Sequence, residues 1–455
     1  MVSARSYITF HEYSGFKRSD GSYSEELGDL GIAPATLRAL QVASSNIVPG
    51  KPVFDFSPAK VRARSLVGVI DVDGTQIEIL PKLLSGHGEN HQILRNLMFM
   101  LSYTNALDVQ DAGIAGLSND FGSFIEAYIS IFANRLNRVL TRSGVPKRYE
   151  EQSENLDCLK GKINFARNSI VNAVNQSKVF CEFSEFTEDN PVSRALKFVA
   201  VALERQTRNV ESKRKLQRCI GLLEGTGNAF VEPGQFERMA SGRRERDFLA
   251  LVQLTKMFLE RLRPEFGRGN SRRVFALLFD MNELFEEFIF EVLRRNAKNL
   301  RVEVRAQKKK RLVTAERNLL DGSDWVDRSL FDTYTDIEIR SPDSGSMMIL
   351  DTKYKIVGDG SHYGIGNADA YQVLAYKQIH SNEEDLPSVG LLYPKYQKSL
   401  WREFRVNGGK QTFFSATIDL SMNFQTDFGV LVNELTRLVQ VGLSLGRKDA
   451  NHAND

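Results

Sequence analysis

The stretch that decides the C-terminal half of the chain runs Thr335-Asp336-Ile337-Glu338-Ile339-Arg340, Ser341-Pro342-Asp343-Ser344-Gly345-Ser346, Met347-Met348-Ile349-Leu350-Asp351-Thr352-Lys353-Tyr354. The outer segments are strand-like and the middle one is rich in turn formers, so the whole reads as a β-hairpin. With the turn centred between Asp343 and Ser344, Asp336 falls directly opposite Asp351, where cross-strand Cβ atoms are about 4.5–5.5 Å apart. Strand side chains alternate, so Lys353 points to the same face as Asp351. Two carboxylates and one ammonium are therefore expected on one side of a sheet. A turn displaced by one residue, or a bulge, would change the pairing.

Two adjacent carboxylates repel, and one tends to take up a proton unless a cation joins them. Hard oxygen ligands with open positions suit Mg²⁺, which keeps several waters and binds substrate phosphate. A cation so held polarises a phosphoryl oxygen and lowers the pKa of bound water. A neighbouring lysine stabilises charge developing on the phosphate. The expected chemistry is phosphodiester hydrolysis, with Asp336 and Asp351 as metal ligands and Lys353 as catalytic partner. The plain alternative is a surface hairpin carrying an Asp–Lys ion pair. Downstream, Ala370 to Tyr376 reads as helix, and Gln372 and Tyr376, four apart, share a face. Both can hydrogen-bond a DNA backbone or orient the lysine; packing alone would also account for Tyr376.

Working outward, the chain has 455 residues, enough for two or three domains. Residues 1–90 read as β-rich, with strands at Ser65–Asp71 and Gln76–Leu80 around a turn at Asp73-Gly74. Residues 91–270 read as helical: Gln92–Leu107, Phe121–Leu140, Pro191–Arg205 and Phe248–Leu262 repeat apolar residues at helical spacing. Thr187-Glu188-Asp189-Asn190-Pro191 supplies cap residues and an early proline for one of these. Gly267 to Ser271 reads as a linker. Residues 271–445 alternate helix (Asn282–Arg295), strands (about 301–306, 335–340, 347–355), helix (Ala368–His380) and strand (Ser388–Tyr393). Residues 446–455 are polar and expected to be a disordered tail.

Composition excludes several classes. No window is apolar enough for a membrane span, and Met1–Phe10 lacks a signal peptide's run, so a cytoplasmic location is expected. Cys158, Cys181 and Cys219 are too scattered for a disulfide framework or a C-x-x-C metal site. His87 and His91 lie in a Gly-rich stretch that reads as a solvated loop. There is no Walker-type G-x-x-x-x-G-K-[ST], so the chain is not expected to hydrolyse nucleotide through a P-loop. The formal net charge is +3, which neither demands nor excludes nucleic acid. Arg261–Arg273 and Arg301–Arg311 are basic clusters, readable as solvated faces or as phosphate contacts near the hairpin.

The ordered set Asp336, Asp351-x-Lys353 and Gln372-x-x-x-Tyr376 resembles the PD-(D/E)xK nuclease superfamily. The strings around Asp336, Asp351 and Gln372 resemble the McrC family, as do Leu159-Lys160-Gly161-Lys162-Ile163-Asn164-Phe165-Ala166-Arg167, Glu188-Asp189-Asn190-Pro191 and Phe279 to Glu286. Thr335 stands where the superfamily often has proline. The resemblance implies an α+β multi-domain chain: a β-rich N-terminal domain, a helical middle region and a C-terminal PD-(D/E)xK (restriction-endonuclease-like) α/β domain. It further implies the nuclease subunit of a modified-cytosine restriction system. The partner would be an McrB-type AAA+ GTPase ring using GTP, and the substrate double-stranded DNA. It also implies stimulation of the partner's GTPase through residues 1–90, where the hairpin turning at Asp73-Gly74 could protrude into the ring's pore. Superfamily members often add a helix glutamate; Glu283, Glu286, Glu287 and Glu291 are all candidates. The rivals are a non-catalytic regulator of an AAA+ ring with a vestigial nuclease fold, and a stand-alone nuclease.

Overall fold

The computed structural model describes residues 7–453 apart from 19, 21, 49, 73–74, 83–89, 105–123, 241–245, 262–273, 318–323, 359–360, 382–386 and 407–410. The expected turn at 73–74, the loop histidine His87, the linker at 267–271 and most of the first basic cluster lie outside the described residues. The chain forms two compact units, 1–119 together with 278–455, and 120–277. Compactness thus divides the chain differently from the three-way reading at 90 and 270.

The first unit holds two six-stranded sheets. One has the order Val274–Asp280, Leu66–Val72, Thr75–Leu80, Tyr7–His11, Phe16–Lys17, Tyr23–Ser24. Leu66–Val72 and Thr75–Leu80 pair antiparallel, with Val72 opposite Thr75, so the expected hairpin is present. It is not a protrusion. Every described residue of both strands is buried, and since successive side chains point to opposite faces, both faces of the sheet are covered here. The N-terminal part also contains the helix Pro34–Asn46.

The second sheet has the order Glu303–Glu316, Val326–Arg340, Met347–Thr352, Ser388–Pro394, Thr412–Ile418, Trp401–Arg405. Its first three strands are antiparallel, and Ser388–Pro394 then runs parallel to both neighbours. Period-two alternation sorts the central strand. Met347 and Ile349 pack with Val373 and Tyr376 of the helix Asn367–His380, whereas Met348 meets Gly442 of the helix Phe428–Ala453. Asp351 shares the parity of Met347 and Ile349, which puts it on the face of the Asn367–His380 helix. Gly390, opposite Leu350, has no room for a side chain: a Cβ there would lie 2.1 Å from the Phe414 ring.

The helix Asn90–Tyr103 belongs to this unit. Asn96 donates to the Leu420 carbonyl at 2.9 Å and to the Met422 carbonyl at 2.8 Å. Phe99 and Tyr103 join an aromatic cluster with Phe288, Phe424 and Phe428. The C-terminal helix continues to Ala453, through the stretch expected to be a tail, and no proline interrupts it.

The second unit is mostly helical as expected: Phe124–Ser143, Pro191–Gln206, Val210–Leu222, Pro233–Ala240 and Arg246–Arg261. Asn190 caps Pro191–Gln206, accepting from the N–H groups of Val192 and Ser193 and donating to Pro146 O at 2.7 Å. The unit also contains an antiparallel sheet, Arg148–Leu156, Val179–Thr187 and Lys162–Ile163, which the helical reading did not anticipate. Gly161 enters it at φ 72°, and a Cβ there would lie 2.4 Å from Glu182 O, so only glycine fits. The short helix Phe165–Val171 buries none of its residues. No helix among the described residues is long and apolar enough to cross a membrane.

Candidate active site

The hairpin register meets the expectation. Ile337 pairs with Leu350 and Arg340 with Met347. Continued one step, that register sets Asp336 opposite Asp351. Asp336 is held by the end of the facing strand: its Oδ2 accepts from the Thr352 N–H at 2.7 Å and the Thr352 hydroxyl at 3.0 Å. Asp351 is fully buried, with 0% of its surface exposed. The Lys353 ammonium lies 2.8 Å from its Oδ2, yet neither Asp351 oxygen accepts a well-aligned hydrogen bond. The ion pair is a charge contact with the acceptor geometry left open. The Lys353 N–H donates to Leu392 O at 2.9 Å, which fixes the backbone just past the strand.

The electrostatics follow from burial and charge. Burial, then the neighbouring Asp336 charge, pushes the Asp351 carboxyl up to about 7, against the pull of Lys353. For Lys353, burial works downward, but Asp351, Asp336 and Asp369 outweigh it and hold the ammonium above its ordinary range. Lys353 therefore stays charged at any physiological pH.

One of the four candidate glutamates faces this cluster. Glu286, on the helix Met281–Leu300, has its carboxyl raised by burial and then by Asp336. Gln307 donates to it at 3.4 Å. Gln307 stands between the pairs Ala306–Ile337 and Lys308–Thr335, hence across from Asp336, at φ 47°, a left-handed conformation unusual for a residue with a side chain. Of the others, Glu283 pairs with Lys51 and Glu291 with Arg294 and Arg295. Nothing in the sequence separated these four, which share one amphipathic helix.

Gln372 and Tyr376 do share a face, but they are turned inward. The Tyr376 hydroxyl donates to Tyr334 O at 2.6 Å, and Gln372 Nε2 donates to that hydroxyl at 2.6 Å. Tyr376 is buried, and burial pushes its phenol up to about 12. The pair ties the helix to the strand two residues before Asp336. Asp369, which the sequence reading passed over, is buried at the start of the same helix and accepts from Lys355 at 2.8 Å and the Tyr393 hydroxyl at 3.1 Å.

This donor set suits a hard divalent cation. Asp351 offers buried oxygens, one of them 2.8 Å from the Lys353 ammonium, beside a second carboxylate. No group of three or more His, Cys, Asp or Glu that could hold a metal is found among the described residues. Asp336 and Asp351 would contribute two carboxylates, a number Mg²⁺ commonly accepts while water and phosphate oxygens complete its shell.

Comparison with known proteins gives a consistent group of relatives. A family model described as the McrBC 5-methylcytosine restriction system component matches residues 61–394. The chain is 24% identical over 330 residues to the Type IV methyl-directed restriction enzyme EcoKMcrBC of Escherichia coli (strain K12), spanning 69% of this chain and 89% of that protein. Among solved structures, it aligns with a chain of the refined half-complex from the tetradecameric assembly of Thermococcus gammatolerans McrB AAA+ hexamers with bound McrC. There the TM-score is 0.65 at 19% identity, covering 96% of this chain and 99% of that one, a likeness of fold.

Proposed function

Because the chain belongs to the McrBC family of restriction-system components, we propose that it is the DNA-cleaving subunit of a GTP-dependent, modification-dependent restriction complex. The observation that carries this reading is Asp351: a fully buried carboxylate beside the carboxylate of Asp336, with the Lys353 ammonium 2.8 Å from its Oδ2. A structural carboxylate buried this way is costly; one that completes a cation site on substrate binding has a reason to be there. In this reading the C-terminal part is a PD-(D/E)xK nuclease domain.

Asp336 and Asp351 would hold Mg²⁺, which supplies Lewis acidity toward the scissile phosphate and a bound water of lowered pKa. The chain's own residues do the rest. Thr352 fixes the Asp336 carboxylate through two hydrogen bonds. Lys353, kept charged by three carboxylates, places its ammonium where negative charge grows on the phosphorane. Glu286 is poised to accept a proton or a hydrogen bond from water. Tyr376 and Gln372 act at one remove, by fixing the strand that presents Asp336.

The partner in this reading is an McrB-type AAA+ GTPase ring, the substrate double-stranded DNA carrying modified cytosine, and the location the cytoplasm. The contact with the ring was expected from residues 1–90. Since that hairpin is buried, we place the contact on unit 120–277, where Phe165, Ile170 and Val174 are 76%, 78% and 99% exposed.

A second reading is a non-catalytic regulator of the ring, favoured by the lack of a three-ligand cluster among the described residues. One assay separates the two: cleavage of modified duplex DNA by the purified chain with its motor, GTP and Mg²⁺, against the same mixture in EDTA. Nicking or double-strand cleavage that needs Mg²⁺ and is lost in Asp351→Ala supports the nuclease. GTPase stimulation without cleavage would leave the regulator.

A further inference from the structure

The hairpin that presents Asp336 is longer than the sheet to which it belongs. Its strands pair from Glu303–Arg340 out to Glu316–Val326. The neighbouring strand Met347–Thr352 engages only Ile337–Arg340, and Glu303–Glu316 is the edge of the sheet. Beyond Lys308–Thr335 the hairpin is therefore a two-stranded ribbon without a third strand, and a bulge between Val313 and Ala315 adds twist. Such a ribbon is at best marginally stable by itself, so its length calls for a use.

Its far end carries an unusual pair. The Arg317 guanidinium lies 5.1 Å from the Trp325 ring centroid, and Trp325 is 65% exposed. Some cations of the ribbon are paired: Lys309 and Arg311 share Asp332, at 2.7 and 3.9 Å, and Arg328 pairs with Glu316. Arg317 has no carboxylate partner among the described residues, and its stacking on the indole holds it outward. Asp324 and Asp327 flank the indole, so the tip is no broad basic patch. It offers one cation and one planar apolar group.

We propose that the ribbon is a DNA-gripping arm that lies along the duplex beside the scissile phosphate, with Arg317 on a backbone phosphate and Trp325 in the groove. The dimensions agree. Eleven residues separate Trp325 from Asp336, and at ~3.4 Å per residue the arm reaches about 37 Å. One turn of duplex DNA is about 34–36 Å long. A two-stranded β-ribbon is a shape the major groove, about 12 Å wide, admits. The charge pattern selects nucleic acid over an acidic protein patch, because one cation stacked on an exposed ring serves a phosphate and a neighbouring base edge together. The inference rests on the DNA-cleavage reading and adds to it the surface that sets how much flanking DNA is held.

The test uses the full chain in an Asp351→Ala background, so that DNA stays intact, with a 40-base-pair duplex as probe. Affinity is read by fluorescence anisotropy across a salt series, and extent by hydroxyl-radical footprinting. Trp325→Ala should weaken binding about tenfold, the order expected for losing a buried apolar side chain from the groove, and should leave the salt slope unchanged. Arg317→Ala should reduce the slope of log K against log salt by about 0.9, the value of one phosphate contact. In both, protection should shorten on one flank, about a helical turn from the cut. A footprint of unchanged length, with or without a change in affinity, overturns the arm. If the parent chain binds no duplex at all even with its motor and GTP present, the DNA-cleavage reading falls and the arm with it. Retained thermal unfolding of each variant excludes misfolding as the cause.

Discussion

At the scale of the residue, the site rests on charges brought together without full compensation. Asp351→Ala should lower Mg²⁺-dependent cleavage by roughly a thousandfold while leaving GTPase stimulation intact; Lys353→Ala should cost about 10²–10³-fold, and Lys353→Glu more. Cleavage at the parent rate by Asp351→Ala would remove the assignment. The raised Asp351 carboxyl gives a second prediction. Its folded pKa of about 7 lies above the ordinary value of 3.8, so the folded metal-free protein binds the proton more tightly than the unfolded chain. The stability this contributes is fully present below about 4 and is lost as pH rises through about 7. Asp351→Asn should therefore stabilise the metal-free chain at pH 8, by at most ~4 kcal/mol, with the gain shrinking toward pH 4. Urea unfolding in EDTA at several pH values measures it; a gain that grows in acid would contradict the burial argument. The pairing of Asp336 with Asp351 was legible in the sequence because turn formers fix the hairpin's centre. The roles of Glu286 and Gln307 were not, since four glutamates share one helix and a left-handed glutamine leaves no mark in composition.

At the scale of the element, the central strand and its helix set the precision of the site. Tyr376→Phe deletes a hydroxyl that bonds both Tyr334 O and Gln372, which should cost about 1–2 kcal/mol of stability and only a few-fold in cleavage. Differential scanning fluorimetry and the cleavage rate check both halves; a loss as deep as that of Asp351→Ala would make the phenol a direct participant in the chemistry. Gly390→Ala places a methyl group against the Phe414 ring, and should cost about 1–3 kcal/mol by overpacking. If it melts with the parent, Phe414 has an alternative rotamer. Long amphipathic helices such as Pro191–Gln206 were readable from spacing and caps. The strands Arg148–Leu156 and Val179–Thr187 were not. Glu150, Glu151, Glu154 and Glu182 interrupt any apolar alternation, and the pairing that makes them strands is a property of both segments together.

At the scale of the whole molecule, the helix Asn90–Tyr103 explains why the compact units differ from divisions read in sequence order. Its periodicity announced a helix but not its neighbours, and those neighbours lie more than three hundred residues later, at Leu420 and Met422. Removing residues 1–90 should consequently unfold the first unit, seen as protease sensitivity of the C-terminal part. The ring contact is better examined by Phe165→Asp with Ile170→Asp, which should reduce stimulation of GTP turnover and leave thermal stability unchanged. Undiminished stimulation would move the contact elsewhere. The chain leaves the first unit after residue 119 and re-enters it at 278, which has a consequence in time. On the ribosome, the N-terminal strands must wait for most of the chain. At about 5–20 residues per second, that wait is roughly 15–70 s, during which only the inserted unit has all of its residues. A nascent chain thus holds the complete inserted unit before any of the residues 336–376 of the candidate site have been made.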